Sequence, residues 1–185
     1  TVTVAAGVDL SCRFFPVGQE NPTILFFYGN GETAADYDNI APLYNQIGVN
    51  FFVADYRGYG RSDGSPAFRS MLSDAREVLA ALRQTLQASG YTGPVFVMGR
   101  SMGRHAAFEL AAYCQEQIPG LIIESGRPTL GQFTQGLDEE QARTLQAAYE
   151  DKVRSIGMPV LVIHGEIDTL APVQEAVAMF QGFPS

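Results

Sequence analysis

The sequence is poor in residues that build metal centres and disulfide scaffolds: two cysteines and two histidines in 185 positions. Cys12 and Cys114 stand far apart and cluster with neither histidine, so metal-ligand spacing is missing and no metal is expected. The two thiols read as a buried, reduced pair in a cytoplasmic protein. No basic stripe is present, and 12 Lys and Arg face 20 Asp and Glu. A formal net charge of -8 and a pI near 4.7 argue against nucleic acid or an anionic membrane surface as partner. No apolar run approaches the roughly 18 residues of a membrane span. A charged-then-apolar leader pattern is missing, although Thr1 follows no Met, which leaves a removed segment open. Repeats, linkers and low-complexity tracts are absent as well.

What is there is a globular composition, 46% hydrophobic and 17% charged, at a length that suits a single domain over residues 1–185. Apolar strands alternate with helical patterns. Residues 1–15 read as an N-terminal hairpin turning near Gly7. Continuous apolar strands are expected at 23–28, 50–55, 93–98, 121–124 and 160–164. Between them lie a broken helix over 33–46 restarted by Pro42, a long helix over 70–89, and helices over 102–117, 138–155 and 172–180. Met71, Leu72, Ala75, Val78, Leu79, Leu82 and Leu86 fall on one face of the long helix. Asp138 reads as an N-cap with Glu139 and Glu140 in the first turn. Strands that are apolar throughout imply a mostly parallel, doubly wound α/β sheet with helices on both faces. Such sheets bind ligands beyond the carboxyl ends of their strands.

The strongest local signal is Gly99-Arg100-Ser101-Met102-Gly103. It joins the strand at Val95-Phe96-Val97-Met98 to an amphipathic helix. A serine on so sharp a turn lifts its hydroxyl above the sheet, and the flanking glycines let neighbouring backbone pass without a Cβ clash. Simple capping of the next helix is the plainer alternative.

Four segments together resemble the α/β-hydrolase family, in its compact serine-esterase branch. They are Phe26-Phe27-Tyr28-Gly29-Asn30-Gly31-Glu32, Asp55 through Ser62, Gly99 through Gly103, and His164-Gly165-Glu166-Ile167-Asp168. The resemblance implies that Ser101 is a nucleophile. It implies an oxyanion hole of the Met102 and Asn30 backbone N–H groups. Asp168 matches the triad acid that orients a histidine, with a helix cap or a solvated carboxylate as its other reading. Tyr28 stands where many members carry His, a departure that touches loop packing. Asp55 and Arg57 are candidates to pair and hold their loop, and a catalytic Arg57 is the sharper alternative.

The family order is Ser, Asp, His, and the third member is missing after Asp168. His105 falls on the polar stripe of its helix with Glu109 and Glu116, and reads as a surface imidazole. His164 reads as a structural imidazole at a strand end. The expectation is a chain truncated before its last strand and triad histidine, with an open sheet edge prone to self-association. A naturally short form, or a partner chain supplying that strand, is the alternative. The resemblance thus implies hydrolysis of a small-molecule acyl ester or thioester through an acyl-enzyme, without cofactor or metal, and impaired in this form. A non-catalytic binding domain on the same fold is the competing reading. Residues 126–136 read as a rim or small cap, with Leu130, Phe133 and Leu137 either lining an acyl pocket or packing on the core.

Overall fold

A computed structural model describes residues 1–184, with Gln132 described by its backbone alone. The chain forms β1 (Val2–Ala5), β2 (Val8–Leu10), β3 (Cys12–Phe15), β4 (Thr23–Phe27), α1 (Ala41–Gln46), β5 (Asn50–Ala54), α2 (Phe68–Ala88) and β6 (Val95–Arg100). It continues through α3 (Arg104–Tyr113), β7 (Leu121–Glu124), α4 (Glu139–Arg154), β8 (Val160–Ile163) and α5 (Val173–Gln181). Strands β1 and β2 make a separate hairpin, turning at Gly7 with φ of 71°. The main sheet has the order β3-β5-β4-β6-β7-β8, parallel except for β3, which runs antiparallel to β5. The fold is the doubly wound α/β class read from the alternation of apolar strands and helices.

Every residue of β4 and β5 is buried, as strands covered on both faces require. The chain leaves β4 toward β5 on one side, then returns across β4 to build β6, β7 and β8 on the other. The order therefore reverses between β4 and β6, and a crevice opens beyond their carboxyl ends. The loops that follow these two strands carry Asn30 and Ser101.

Helix α2 buries Met71, Ala75, Val78, Leu79, Leu82 and Leu86 as its periodicity predicts; Leu72 is half-buried. Asp74 shares the buried face because Arg57 takes both its oxygens, through Nε and Nη2 at 2.7 Å each. This corrects the Asp55–Arg57 pairing. Asp55 instead accepts the Tyr28 hydroxyl at 2.8 Å and the Ala34 N–H at 2.6 Å, all inside the core. Both thiols are free and half-buried rather than buried, and burial pushes Cys12 up to about 11. Asp138 caps α4 by accepting the Gln141 N–H at 2.8 Å, as the sequence predicts. Strand β8 lies at the sheet edge, with Leu161 and Ile163 about half exposed. Among the described residues no helix is long and apolar enough to cross a membrane.

One side chain organises the far end of the sheet. Asn50, fully buried, accepts from the Val17 and Gly18 N–H groups at 2.7 and 3.1 Å. It donates to the Gly18 and Asn21 carbonyls at 2.9 and 3.0 Å. Replacing it with Ala strands several polar groups of the 17–21 loop. Asn50→Ala is expected to lower stability by at least about 2 kcal/mol, read as a lower urea midpoint at unchanged slope.

Candidate active site

The turn after β6 is dictated by close approach. A Cβ on Gly103 would stand 2.0 Å from the Phe27 carbonyl oxygen at the end of β4. A Cβ on Gly99 would stand 2.7 Å from Arg104 Cα and 2.8 Å from Ala107 Cβ. Only glycine fits at either position, and the start of α3 is pressed against the sheet. Between them Ser101 is forced to φ of 50°, a left-handed conformation that costs a non-glycine residue on the order of 1–3 kcal/mol. Its side chain is exposed at the rim. The loop after β4 comes close: Gly29 sits where an added Cβ would be 3.4 Å from Ser101 Cβ.

Ser101, Met102, Asn30 and Asp168 line one cleft of ≈ 430 Å³. The structure thus brings together the four residues singled out in the sequence. Asn30 is held from the side by Tyr59, whose hydroxyl donates to Asn30 Oδ1 at 2.8 Å. Beside it Glu32 accepts the Gly29 N–H at 2.8 Å and the Tyr37 hydroxyl at 3.0 Å, and pairs with Arg100. Asp168 Oδ1 accepts the Leu170 and Ala171 N–H groups, each at 2.9 Å. Those amides, Ala171 first, hold its carboxyl below the usual range. The carboxylate therefore caps its own loop as well as facing the cleft. Arg57 is consumed by Asp74, which leaves no catalytic arginine there.

The two histidines part ways. His164 Nε2 donates to the Ala171 carbonyl at 2.6 Å, so the proton sits on Nε2 and the ring holds the Asp168 loop. Asp168 Oδ2 is 3.7 Å from the same nitrogen. This is the structural imidazole that the sequence predicts. His105 is not the surface residue expected from its helical position. It is 2% exposed and lies edge-on to Phe68 and Phe133, with Tyr149 of α4 also against it. Helix α4 and the 131–134 turn cover the stripe that looked polar, and Glu109 is buried there too, paired with Arg76 and Lys152. Neither ring nitrogen of His105 finds a partner among the described residues.

Sequence reasoning missed the arginines. Arg104, buried at 6% exposure, donates from Nε to the Arg127 carbonyl at 3.0 Å. It also donates to the Ser101 carbonyl at 2.7 Å and the Thr129 carbonyl at 2.6 Å. It ties the serine turn to the 126–136 rim. Arg100 and Arg127 line the same cleft. An arginine directly after the second glycine of the serine motif was the available signal. Leu130 and Phe133 line the cleft as one reading of the rim allowed, while Leu137 is exposed elsewhere. Among the described residues no group of three or more His, Cys, Asp or Glu is placed to hold a metal ion.

A mostly parallel sheet with this strand order, and a serine turn at its switch point, define an α/β hydrolase. A family model described as serine aminopeptidase, S33, matches residues 18–128, and the chain belongs to that family. It is 29% identical over 177 residues to a lysophosphatidylserine lipase, ABHD12, of Danio rerio, covering 83% of this chain and 45% of that protein. It is 29% identical over 171 residues to the protein bem46 of Schizosaccharomyces pombe, covering 88% and 56%. The chain thus spans about half the length of these curated relatives. Among solved structures it is similar to Est1E of Butyrivibrio proteoclasticus with bound ferulic acid (TM-score 0.77, 20% identity, 96% of this chain and 83% of that one). It is also similar to a monoglyceride lipase of Saccharomyces cerevisiae (TM-score 0.75, 18% identity, 97% and 80%). At these identities the two structures speak for the fold.

Burial, then the nearby charges of Arg104 and Lys152, push the His105 imidazole well below its usual range. The folded protein therefore keeps His105 neutral while the unfolded chain takes up a proton near pH 6.5. The unfolded state binds the extra proton, so this contribution is full above pH 6.5 and is lost as the pH falls. Between pH 7.5 and 5.5 the loss is about 1 kcal/mol. His105→Leu is expected to flatten the stability profile by that amount in urea unfolding. An imidazole resonance of His105 titrating near 6.5 in the folded protein would refute the assignment.

Proposed function

We propose that the protein is a serine hydrolase that cleaves small acyl esters or thioesters through an acyl-enzyme on Ser101. The observation that carries this reading is the left-handed backbone at Ser101, with its exposed side chain in one cleft with Asp168. The hydroxyl attacks the acyl carbonyl, and the alcohol or thiol leaves as the tetrahedral intermediate collapses; water then releases the acid. The oxyanion is held by the backbone N–H of Met102 and that of Asn30. Glu32 already occupies the Gly29 N–H, which favours Asn30 as the loop's donor. Asp168 fixes the tautomer of the histidine that takes the serine proton and stabilises the imidazolium. Neither His105 nor His164 is hydrogen-bonded to Ser101, so we assign that base to sequence outside residues 1–185. No metal or organic cofactor enters the scheme. The ester chemistry agrees with the name of the lysophosphatidylserine lipase among the curated relatives.

The same unbonded histidines favour one competing reading, a binding domain that keeps the fold without the chemistry. Residues 1–185 and the product of the whole reading frame should be treated with a serine-directed phosphonate. Labelling at Ser101 in the longer form alone is the expected result. Labelling in neither form would leave the binding domain, and labelling in both would place the base within these 185 residues. In the active form Ser101→Ala is expected to abolish labelling. Asp168→Asn is expected to lower kcat on a p-nitrophenyl acyl ester by about 10³–10⁴.

A further inference from the structure

Two cavities meet at the serine turn, and their walls differ in chemistry. The smaller, ≈ 180 Å³, is walled chiefly by Tyr56, Tyr59, Phe68 and Met71. Its one charged wall residue, Arg57, is neutralised by Asp74. The larger is the cleft of ≈ 430 Å³, walled in part by Arg100, Arg104 and Arg127, with His105 at its base. Asn30, Met102 and Phe133 belong to both. The two backbone groups assigned to the oxyanion therefore stand at the junction.

The charges of the larger lobe are unequally satisfied. Glu32 neutralises Arg100. Arg127 touches Glu175 through a single contact of 3.3 Å at the rim. Arg104 is buried and has no carboxylate within ion-pair distance among the described residues; three of its five N–H groups go to backbone carbonyls. A guanidinium taken out of water without a counter-charge is costly, and an anion in the cleft would offset that cost. His105 adds a buried imidazole whose two nitrogens are unpartnered. Asp168 is the one acid in this lobe, and its Oδ1 is already bound by two amides. On a chain of net charge -8, a cleft whose three arginines are matched by Glu32, Glu175 and Asp168 is balanced in charge, and Arg104 is the one of the three arginines with no ion-pair partner among the described residues.

Building on the hydrolase reading, we propose that the substrates are esters of a short acyl group with an alcohol that carries an anion, a carboxylate or a phosphate. The acyl chain enters the aromatic lobe, and the anion of the leaving alcohol meets Arg104 and Arg127. The carbonyl then lies at the junction, against Met102 and Asn30.

Binding separates this from turnover. Calorimetry on the whole protein carrying Ser101→Ala would compare four ligands. These are 1-butyrylglycerol 3-phosphate, the butyrate ester of 3-hydroxybutyrate, neutral 1-butyrylglycerol, and monobutyl glutarate with its anion on the acyl side. At least one of the first two is expected to bind ten-fold or more tightly than the neutral ester, and which one distinguishes phosphate from carboxylate. Adding Arg127→Gln should reduce that preference to under about three-fold. Arg104→Met should do the same, and Arg127→Gln carries the test if that variant fails to fold. Equal binding of the neutral ester, a preference surviving Arg127→Gln, or tighter binding of monobutyl glutarate would overturn the proposal. Turnover of the same esters by the unsubstituted protein is read separately. Its failure with the anion preference intact would count against the hydrolase reading and leave the cleft's selectivity standing.

Discussion

The contact on which the rest depends is the approach of Gly103 to the carbonyl of Phe27. It presses the first turn of α3 onto the end of β4, closer than any side chain permits. With Gly99 packed under Arg104 and Ala107, the chain between has one way to turn. Ser101 absorbs that turn as a left-handed residue, and its side chain is left outside the core. The strain is held because β6 is paired on both sides, with β4 and with β7, and α3 is buried from Arg104 to Ala111. The left-handed turn at Ser101 is thus a by-product of packing, maintained by surfaces away from the cleft.

Buried polar groups do the fastening around this turn. Asp55 ties Tyr28 at the end of β4 to the backbone of Ala34, and Tyr56 returns a bond to the Tyr28 carbonyl at 2.8 Å. Glu109 joins α2 and α4 across α3 through Arg76 and Lys152. Arg104 ties the serine turn to the 127–129 rim. Apart from the bond from Arg104 to the Ser101 carbonyl, these partners are distant in sequence. Arg104 differs from the others because its partners are three backbone carbonyls, and no carboxylate lies within ion-pair distance of it among the described residues.

The acid side of the cleft is built by local means. Asp168 closes its own loop with two amides, and His164 pins the loop from behind through Ala171. A carboxylate so held has a fixed direction, which suits the role proposed for it of orienting a histidine. The strand before it, β8, is the sheet's edge, and its alternating burial contrasts with the wholly buried β4 and β5.

Much of this was legible in the residues alone. Runs such as Thr23–Phe27 and Asn50–Ala54 can be buried only between two helical layers, so the fold class followed from them. Gly99-Arg100-Ser101-Met102-Gly103 marks the turn through its glycines, Gly99 by a local contact with Arg104 and Ala107, Gly103 by its approach to the distant Phe27 carbonyl. Asp138 announced the start of α4 by the same local logic. The errors lay where a partner comes from afar. Asp55 has an obvious partner two residues away in Arg57, yet Tyr28 and Ala34 hold it and Asp74 holds Arg57. A helical wheel puts His105 on a polar face, and cannot show that α4 covers that face. Arg104 is hidden for the same reason, since two of its three carbonyl partners lie on a rim more than twenty residues downstream. Short-range sterics and hydrophobic period are written into neighbouring residues. Burial of a charge, and the walls of a cleft, arise only when distant segments meet.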